Sequence, residues 1–394
     1  MNLSKLLPFL WIPVLLALSL TAEAATVHIA FLGKQPEDLR PAAANLEPVH
    51  ADIGLRGAEL GIEDDNTTGR FTGQKFKLLG ATLNHGEDPR RAFYFLLKEG
   101  YRHIIVNLPA SDIQQLADME GAEAVILYNA GAYDDRLRGR DCRANVLHTL
   151  PSHAMRADAL GQYLKKKRWE DWFLVPGKRQ QDRLFARAIR RTAKRFGVKL
   201  VAEKPWTHDF DARRTAQALV ATFTQGVEYD ILLVADEAGL FGDYFPYRTW
   251  LPRPVAGSQG LIATAWHPAH EQWGAVQLQN RFRERAGRWM KPRDYAAWLA
   301  VRAIGEAATR TQSVDFAKIR EFLLSDRLAL AGFKGRPLSF RRWNGQLRQP
   351  ILLSGPRAVV AVAPLEGFLH PVDELDTLGY DERESLCHLT RKRP

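Results

Sequence analysis

The sequence predicts an α/β fold of two doubly wound parallel-sheet lobes joined by crossover strands, and three observations lead there. Strand-like and helix-like segments alternate from residue 26 onward, the pattern of a parallel sheet with helices on its faces. The alternation comes in two sets, with no internal repeat and no low-complexity tether between them. The chain of 394 residues also exceeds the ~250–300 at which a single core stops growing.

The first set opens with a buried strand at 26–32, then helical spacing of Ile53, Leu60 and Ile62 over 53–65. An alternating strand at 75–80 follows, then a helix to Leu97 opened by Asp88 as N-cap and Pro89 at its first position. A strand at 103–107, a helix at 111–119 and a strand at 124–129 complete it. The second set has helices at 154–166, 181–196 and 213–224 between strands at 172–175, 199–203 and 230–235. Beyond it the pattern is less regular: a strand near 260–265, helices at 270–287, 295–309 and 316–324, and strands within 338–342 and 350–354.

Residues 1–24 read as a secretory signal, with Lys5, an apolar run from Leu6 to Leu20 and the small-residue pattern Ala22-Glu23-Ala24. Pro8 and Pro13 break the run, and it is shorter than the ~20 apolar residues of a span, so cleavage after Ala24 is expected rather than anchoring. Hydrophobic residues at 46% and charged residues at 25% predict a globular mature chain. The net charge of +10 is spread along helix-like stretches such as 187–195, where basic residues alternate with apolar ones, so no nucleic-acid partner is expected. Cys142 and Cys387 meet an oxidising compartment; one disulfide or two buried thiols both fit, because spacing does not establish the short Cα separation a bridge needs.

No enzyme machinery emerges. The chain lacks a Gly-x-Ser-x-Gly elbow, a His-Glu-x-x-His pair and a phosphate loop, and Gly54-Leu55-Arg56-Gly57 suits close helix packing better than dinucleotide binding. His267 and His270 flank Pro268, which suits a loop or hinge more than a metal pair, and Trp266 is the aromatic placed for a pocket. Among carboxylate-rich stretches, Asp134-Asp135 and Asp236-Glu237 follow strands, where doubly wound folds put ligand contacts; a hard cation held by these four is the minority expectation. No cofactor is expected.

Residues 54–66 (Gly-Leu-Arg-Gly-Ala-Glu-Leu-Gly-Ile-Glu-Asp-Asp-Asn), followed by Gly73-Gln74-Lys75-Phe76 and a strand, resemble the opening of type I periplasmic binding proteins of the branched-chain amino-acid class. Residues 66–74 (Asn-Thr-Thr-Gly-Arg-Phe-Thr-Gly-Gln) and the tail 367–380 (Gly-Phe-Leu-His-Pro-Val-Asp-Glu-Leu-Asp-Thr-Leu-Gly-Tyr) look like the subfamily associated with dehydrogenase systems for alcohols that depend on pyrroloquinoline quinone (PQQ). The likeness covers essentially the whole mature chain. It implies a periplasmic clamshell with three crossovers, near 147–151, 257–265 and 338–352, a small solute closed between the lobes, and an inner-membrane ABC permease as partner. Lobe 1 would comprise 25–147 with 260–342, lobe 2 would comprise 148–259 with 343–366, and 367–394 would form a C-terminal tail.

By the same resemblance, Ser111 would meet a ligand carboxylate at a helix N-terminus. Tyr128, Asn129 and Tyr133 would add polar contacts, and Asp236 and Glu237 would stand where an acidic group meets a ligand ammonium. The chain departs from the family at Asn107-Leu108-Pro109, which replaces a glycine-rich strand end, and at Asn129-Ala130-Gly131, which lacks the usual hydroxyls. The expected activity is solute binding for an ABC importer beside a quinoprotein dehydrogenase, not catalysis. The alternative is a non-transport periplasmic interaction or sensor protein supporting that dehydrogenase.

Overall fold

The computed structural model describes residues 25–37, 50–208, 216–387 and 389; the expected signal segment and the start of the helix expected at 213–224 lie outside them. The chain begins β1 (Ala25–Lys34), α1 (Leu55–Thr72), β2 (Gln74–Leu83), α2 (Arg90–Lys98), β3 (His103–Asn107), α3 (Ala110–Ala117), β4 (Ile126–Asn129) and β5 (Val146–His148). These strands form one parallel sheet in the order β2-β1-β3-β4-β5. Residues that alternate along β1 enter different cores. Val27, Ile29 and Phe31 pack under α1, whereas Ala30 and Leu32 pack with Phe93 of α2 and Ile113 of α3. Burial on both faces is what makes β1, β3 and β4 read as continuous apolar runs, whereas the edge strand β2 alternates.

The second set comprises α4 (His153–Lys166), β6 (Asp171–Pro176), α5 (Gln180–Phe196), β7 (Lys199–Glu203), α6 (Ala216–Thr224), β8 (Ile231–Ala235), β9 (Val255–Gly257) and β10 (Leu261–Thr264). After α7 (Ala275–Ala286), α8 (Pro292–Thr311) and α9 (Phe316–Leu323) come β11 (Leu330–Ala331), β12 (Pro337–Phe340), β13 (Leu347–Arg348), β14 (Ile351–Ser354) and β15 (Val359–Ala363). The second sheet runs β15-β14-β10-β9-β8-β6-β7, parallel except for β14 and β15, which add antiparallel to one side. Its faces carry two further cores, one with Trp172 and Leu233 against Phe185 and Ile189 of α5, the other with Phe173 and Leu232 against Trp206 and Phe245. β11, β12 and β13 form a small antiparallel sheet.

Two segments sit differently from expectation. Residues 261–264, expected with the first lobe, pair with β9 and β14 in the second sheet, where Ala263 is buried in that sheet's core. Residues 347–348, expected with the second lobe, pair with β12, and Leu347 is buried with the first lobe's helices. The chain therefore passes between the sheets at 149–152, 265–274 and 349–350.

Side chains tie these passages together. The buried Lys334 ammonium donates to the carbonyls of Ala265 and Pro350 at 3.1 and 2.7 Å and to Gln349 Oε1 at 2.8 Å. Gln349 Nε2 donates to the Thr149 carbonyl, and Gln346 Nε2 donates to those of His148 and Leu150. Arg138, also buried, donates to the Leu150 carbonyl and to Gln346 Oε1. Trp266 is interior in this region, stacked on Tyr295 with its indole N–H on Gln279, so the pocket role expected for it does not hold. His267 accepts from the Ala269 N–H, and His270 contacts the Phe333 carbonyl at 2.8 Å; both lie on the second passage.

Cys142 and Cys387 form a disulfide with a Cα separation of 5.9 Å. Among the described residues, no helix is long and apolar enough to cross a membrane.

Candidate functional site

Crevices of doubly wound sheets form beyond the C-terminal strand ends, where the strand order reverses. In the first sheet the order reverses between β1 and β3, and in the second between β6 and β8. The segments that follow these strands, together with the loop after β4, line one cavity of about 510 Å³. Lys34, Asn107 and Tyr133 come from the first sheet's side, Arg179 and Glu237 from the second, and Arg293 from the start of α8. A neighbouring cavity of about 370 Å³ shares Tyr133, Glu237 and Arg293, so these three stand where the two spaces meet.

At that junction Glu237 is bound by Arg156 of α4, whose two terminal nitrogens donate to its carboxylate at 2.7 and 3.0 Å. Burial opposes ionisation of Glu237, yet Arg156, His153 and Arg293 together hold the carboxyl below its ordinary value. Arg156 is itself anchored by its Nε on the Ala263 carbonyl and lies against the rings of Tyr133 and Phe185, 4.6 Å from each centroid. A first-lobe aromatic therefore rests on a second-lobe ion pair. His153 adds a backbone tie across the lobes, its N–H donating to the Tyr133 carbonyl at 2.9 Å.

Of the sequence-expected residues, Tyr133 and Glu237 reach the cavity, and Asp236 lines the adjoining one. One Asp236 oxygen accepts the N–H groups of Phe241 and Gly242, while burial pushes its carboxyl up. Tyr128 is fully buried in the first core, its hydroxyl 2.9 Å from His103 Nδ1, and it does not line the cleft. Asn129 is likewise buried, with Oδ1 accepting from the N–H groups of Gly131 and Ala132 and Nδ2 donating to the Ala132 carbonyl. It shapes the loop that presents Tyr133. The loop passes so close to the chain after β3 that a Cβ on Gly131 would lie 2.6 Å from the Leu108 nitrogen.

Ser111 is exposed and lies outside the lining; Pro109, Ala110 and Asp112 line it instead. Asp112 stands in the first turn of α3 and binds Lys34 at 2.5 Å. The chain thus places its own carboxylate at the helix end expected to hold a ligand's, which removes the electrostatic reason for a second anion there.

The four carboxylates of the metal expectation do not converge. Asp135 accepts the Ala154 N–H, Asp134 accepts from Gln181, Asp236 holds its own loop and Glu237 is bound by Arg156. Among the described residues no group of three or more His, Cys, Asp or Glu side chains is arranged to hold a metal ion. Arg156, Arg293 and Lys34 carried no signal in the sequence. Arg156 and Arg293 sit near the starts of α4 and α8, helices buried on most sides, where no local pattern says which groups a basic side chain will meet.

A family model described as periplasmic binding protein matches residues 52–354. A search of curated protein sequences finds no significant match. Solved structures do match. A branched-chain amino-acid ABC transporter periplasmic ligand-binding protein from Burkholderia xenovorans has a TM-score of 0.70 at 17% identity, over 93% of this chain and all of that one. A leucine-, isoleucine-, valine-, threonine- and alanine-binding protein from Brucella ovis, in a closed conformation, has a TM-score of 0.67 at 15% identity, over 94% and 100%. The isoleucine-bound substrate-binding protein of a branched-chain amino-acid transporter from Streptococcus pneumoniae has a TM-score of 0.62 at 14% identity, over 86% and 98%. At such identities these structures speak for the fold, while the model spanning 52–354 speaks for descent: the chain belongs to the periplasmic binding protein family.

Proposed function

We propose that the chain is the solute-binding component of an ABC importer and that its activity is lobe closure on an organic solute rather than catalysis. The supporting observation is a cavity of about 510 Å³ lined from the strand ends of both sheets, so that one ligand touches both lobes at once. Contacts from both sides favour the closed state over the open one, and a permease distinguishes the two. A periplasmic location follows from the family, and the printed descriptions of the structural neighbours name ABC transporters.

The solute belongs, in this proposal, to a periplasmic quinoprotein alcohol-oxidation system. That part rests on the likeness of residues 66–74 and 367–380 to the associated subfamily. Small-angle scattering tests closure, with alcohols, diols, aldehydes, carboxylates and amino acids added in turn. A smaller radius of gyration with at least one solute is expected; an unchanged radius with every one defeats the reading. Cross-linking in membranes tests the partner, and capture of an ABC permease is the expected result.

A further inference from the structure

The cleft's charges specify more than binding. Glu237, at the position expected to meet a ligand ammonium, is taken by a bidentate pair with Arg156, and that pair is held by the Ala263 carbonyl and two aromatic rings. Releasing it for an ammonium would strand a buried guanidinium. Lys34 and Asp112 cancel each other on the opposite wall. Asp134, the other buried carboxylate of the lining, faces Gln181 Nε2 at 3.4 Å and Arg136 Nε at 3.9 Å. Glu37 is exposed.

Arg293 differs from these groups. It stands in the first turn of the 20-residue α8 and lines both cavities. Its Nε donates to the Gly131 carbonyl at 3.1 Å, which fixes the side chain, and among the described residues no carboxylate lies within ion-pair distance of it, although its charge helps hold Glu237 ionised. Its guanidinium lies 6.0 Å from the Tyr133 ring. A half-buried arginine anchored through Nε keeps its two terminal nitrogens for a planar anion.

Resting on the solute-binding reading, we infer that this cleft takes an organic carboxylate that carries no ammonium group, with Arg293 as the residue that selects it. The carboxylate meets the terminal nitrogens of Arg293, Tyr133 forms the wall beside it, and the Arg156–Glu237 pair leaves no site for an amine. The ligand class is thus a simple or hydroxylated acid rather than an amino acid.

Matched pairs test this, each acid differing from its partner only in bearing a hydroxyl where the other has an amine: glycolate and glycine, 2-hydroxy-4-methylpentanoate and leucine, 3-phenyllactate and phenylalanine. Calorimetry on the full mature chain should show at least one hydroxy acid binding about tenfold or more tightly than its amino acid, and the amide of that acid should bind comparably weakly. Arg293→Gln should weaken the acid about tenfold or more without changing the far-ultraviolet spectrum, and Arg293→Lys should restore part of the loss. An amino acid that binds as tightly as its hydroxy acid overturns the inference, as does an amide that binds as tightly or a lack of binding by every acid. Compaction by some other solute in scattering would then leave the solute-binding reading standing, whereas no compaction by any solute would remove both.

Discussion

Tyr128 shows how a strand-end residue is diverted from function. Its side chain points to the face of the first sheet covered by α8 and α9, where its hydroxyl meets a histidine that burial holds in the neutral form, at a pKa of about 3. Tyr128→Phe leaves His103 Nδ1 without that partner and should lower stability by about 1–3 kcal/mol in urea unfolding while leaving ligand affinity unchanged. Asp65 carries a pH signature. Burial pushes its carboxyl up to about 7 despite the Arg302 guanidinium beside it, above the ordinary value of 3.8. A group with a raised folded pKa contributes stability that is fully present below its unfolded value and is lost as pH rises through the folded one. Unfolding midpoints should therefore fall for the natural chain relative to Asp65→Asn between about pH 4 and pH 7, and the two profiles should run parallel above pH 8. Of the expected site residues, Tyr133 and Glu237 follow strands and line the cavity, whereas Tyr128 and Asn129 turn into the interior, because a residue's position at a strand end does not say which way its side chain turns.

At the scale of elements, long helices and buried strands were legible, and short strands were not. β9 and β5 have three residues each, and β11 and β13 two, too few for any period to appear. Helix α1 runs to Thr72, seven residues past its expected end, for a tertiary reason: Asn66 in its middle exchanges two hydrogen bonds with the backbone of Phe76, and Gly73 closes the helix in the left-handed region. The segment after β15 is a strap. Asp376 binds Arg341 and Arg348, Leu378 enters the second lobe's core, and the Gly379 N–H and carbonyl meet Asp158 and the arginines 191 and 195. The disulfide then fastens the strap's end to the first lobe. Cys142→Ser with Cys387→Ser should cost about 2–4 kcal/mol in thermal unfolding under oxidising conditions, with no such difference in reductant.

At the scale of the molecule, the passages between the sheets are tied into one unit because Lys334, Gln346, Gln349 and Arg138 cross-link them through carbonyl oxygens. Burial holds the Lys334 amine well below its ordinary pKa, and its three oxygen partners have no other described donor in its place. Lys334→Met should loosen the second and third passages from each other, widening the ligand-free scattering profile and lowering stability by about 1–3 kcal/mol for each buried oxygen left without a donor. The sequence by itself determined two α/β lobes, because apolar periodicity and turn residues act over a few neighbours and are written locally, while the cleft between them was implied by the family resemblance. The tertiary structure alone decided the cleft's charge. Arg156 lies 81 residues from Glu237 and Arg293 lies 162 residues from Gly131, so only folding shows which carboxylate is already paired and which basic side chains face the cleft.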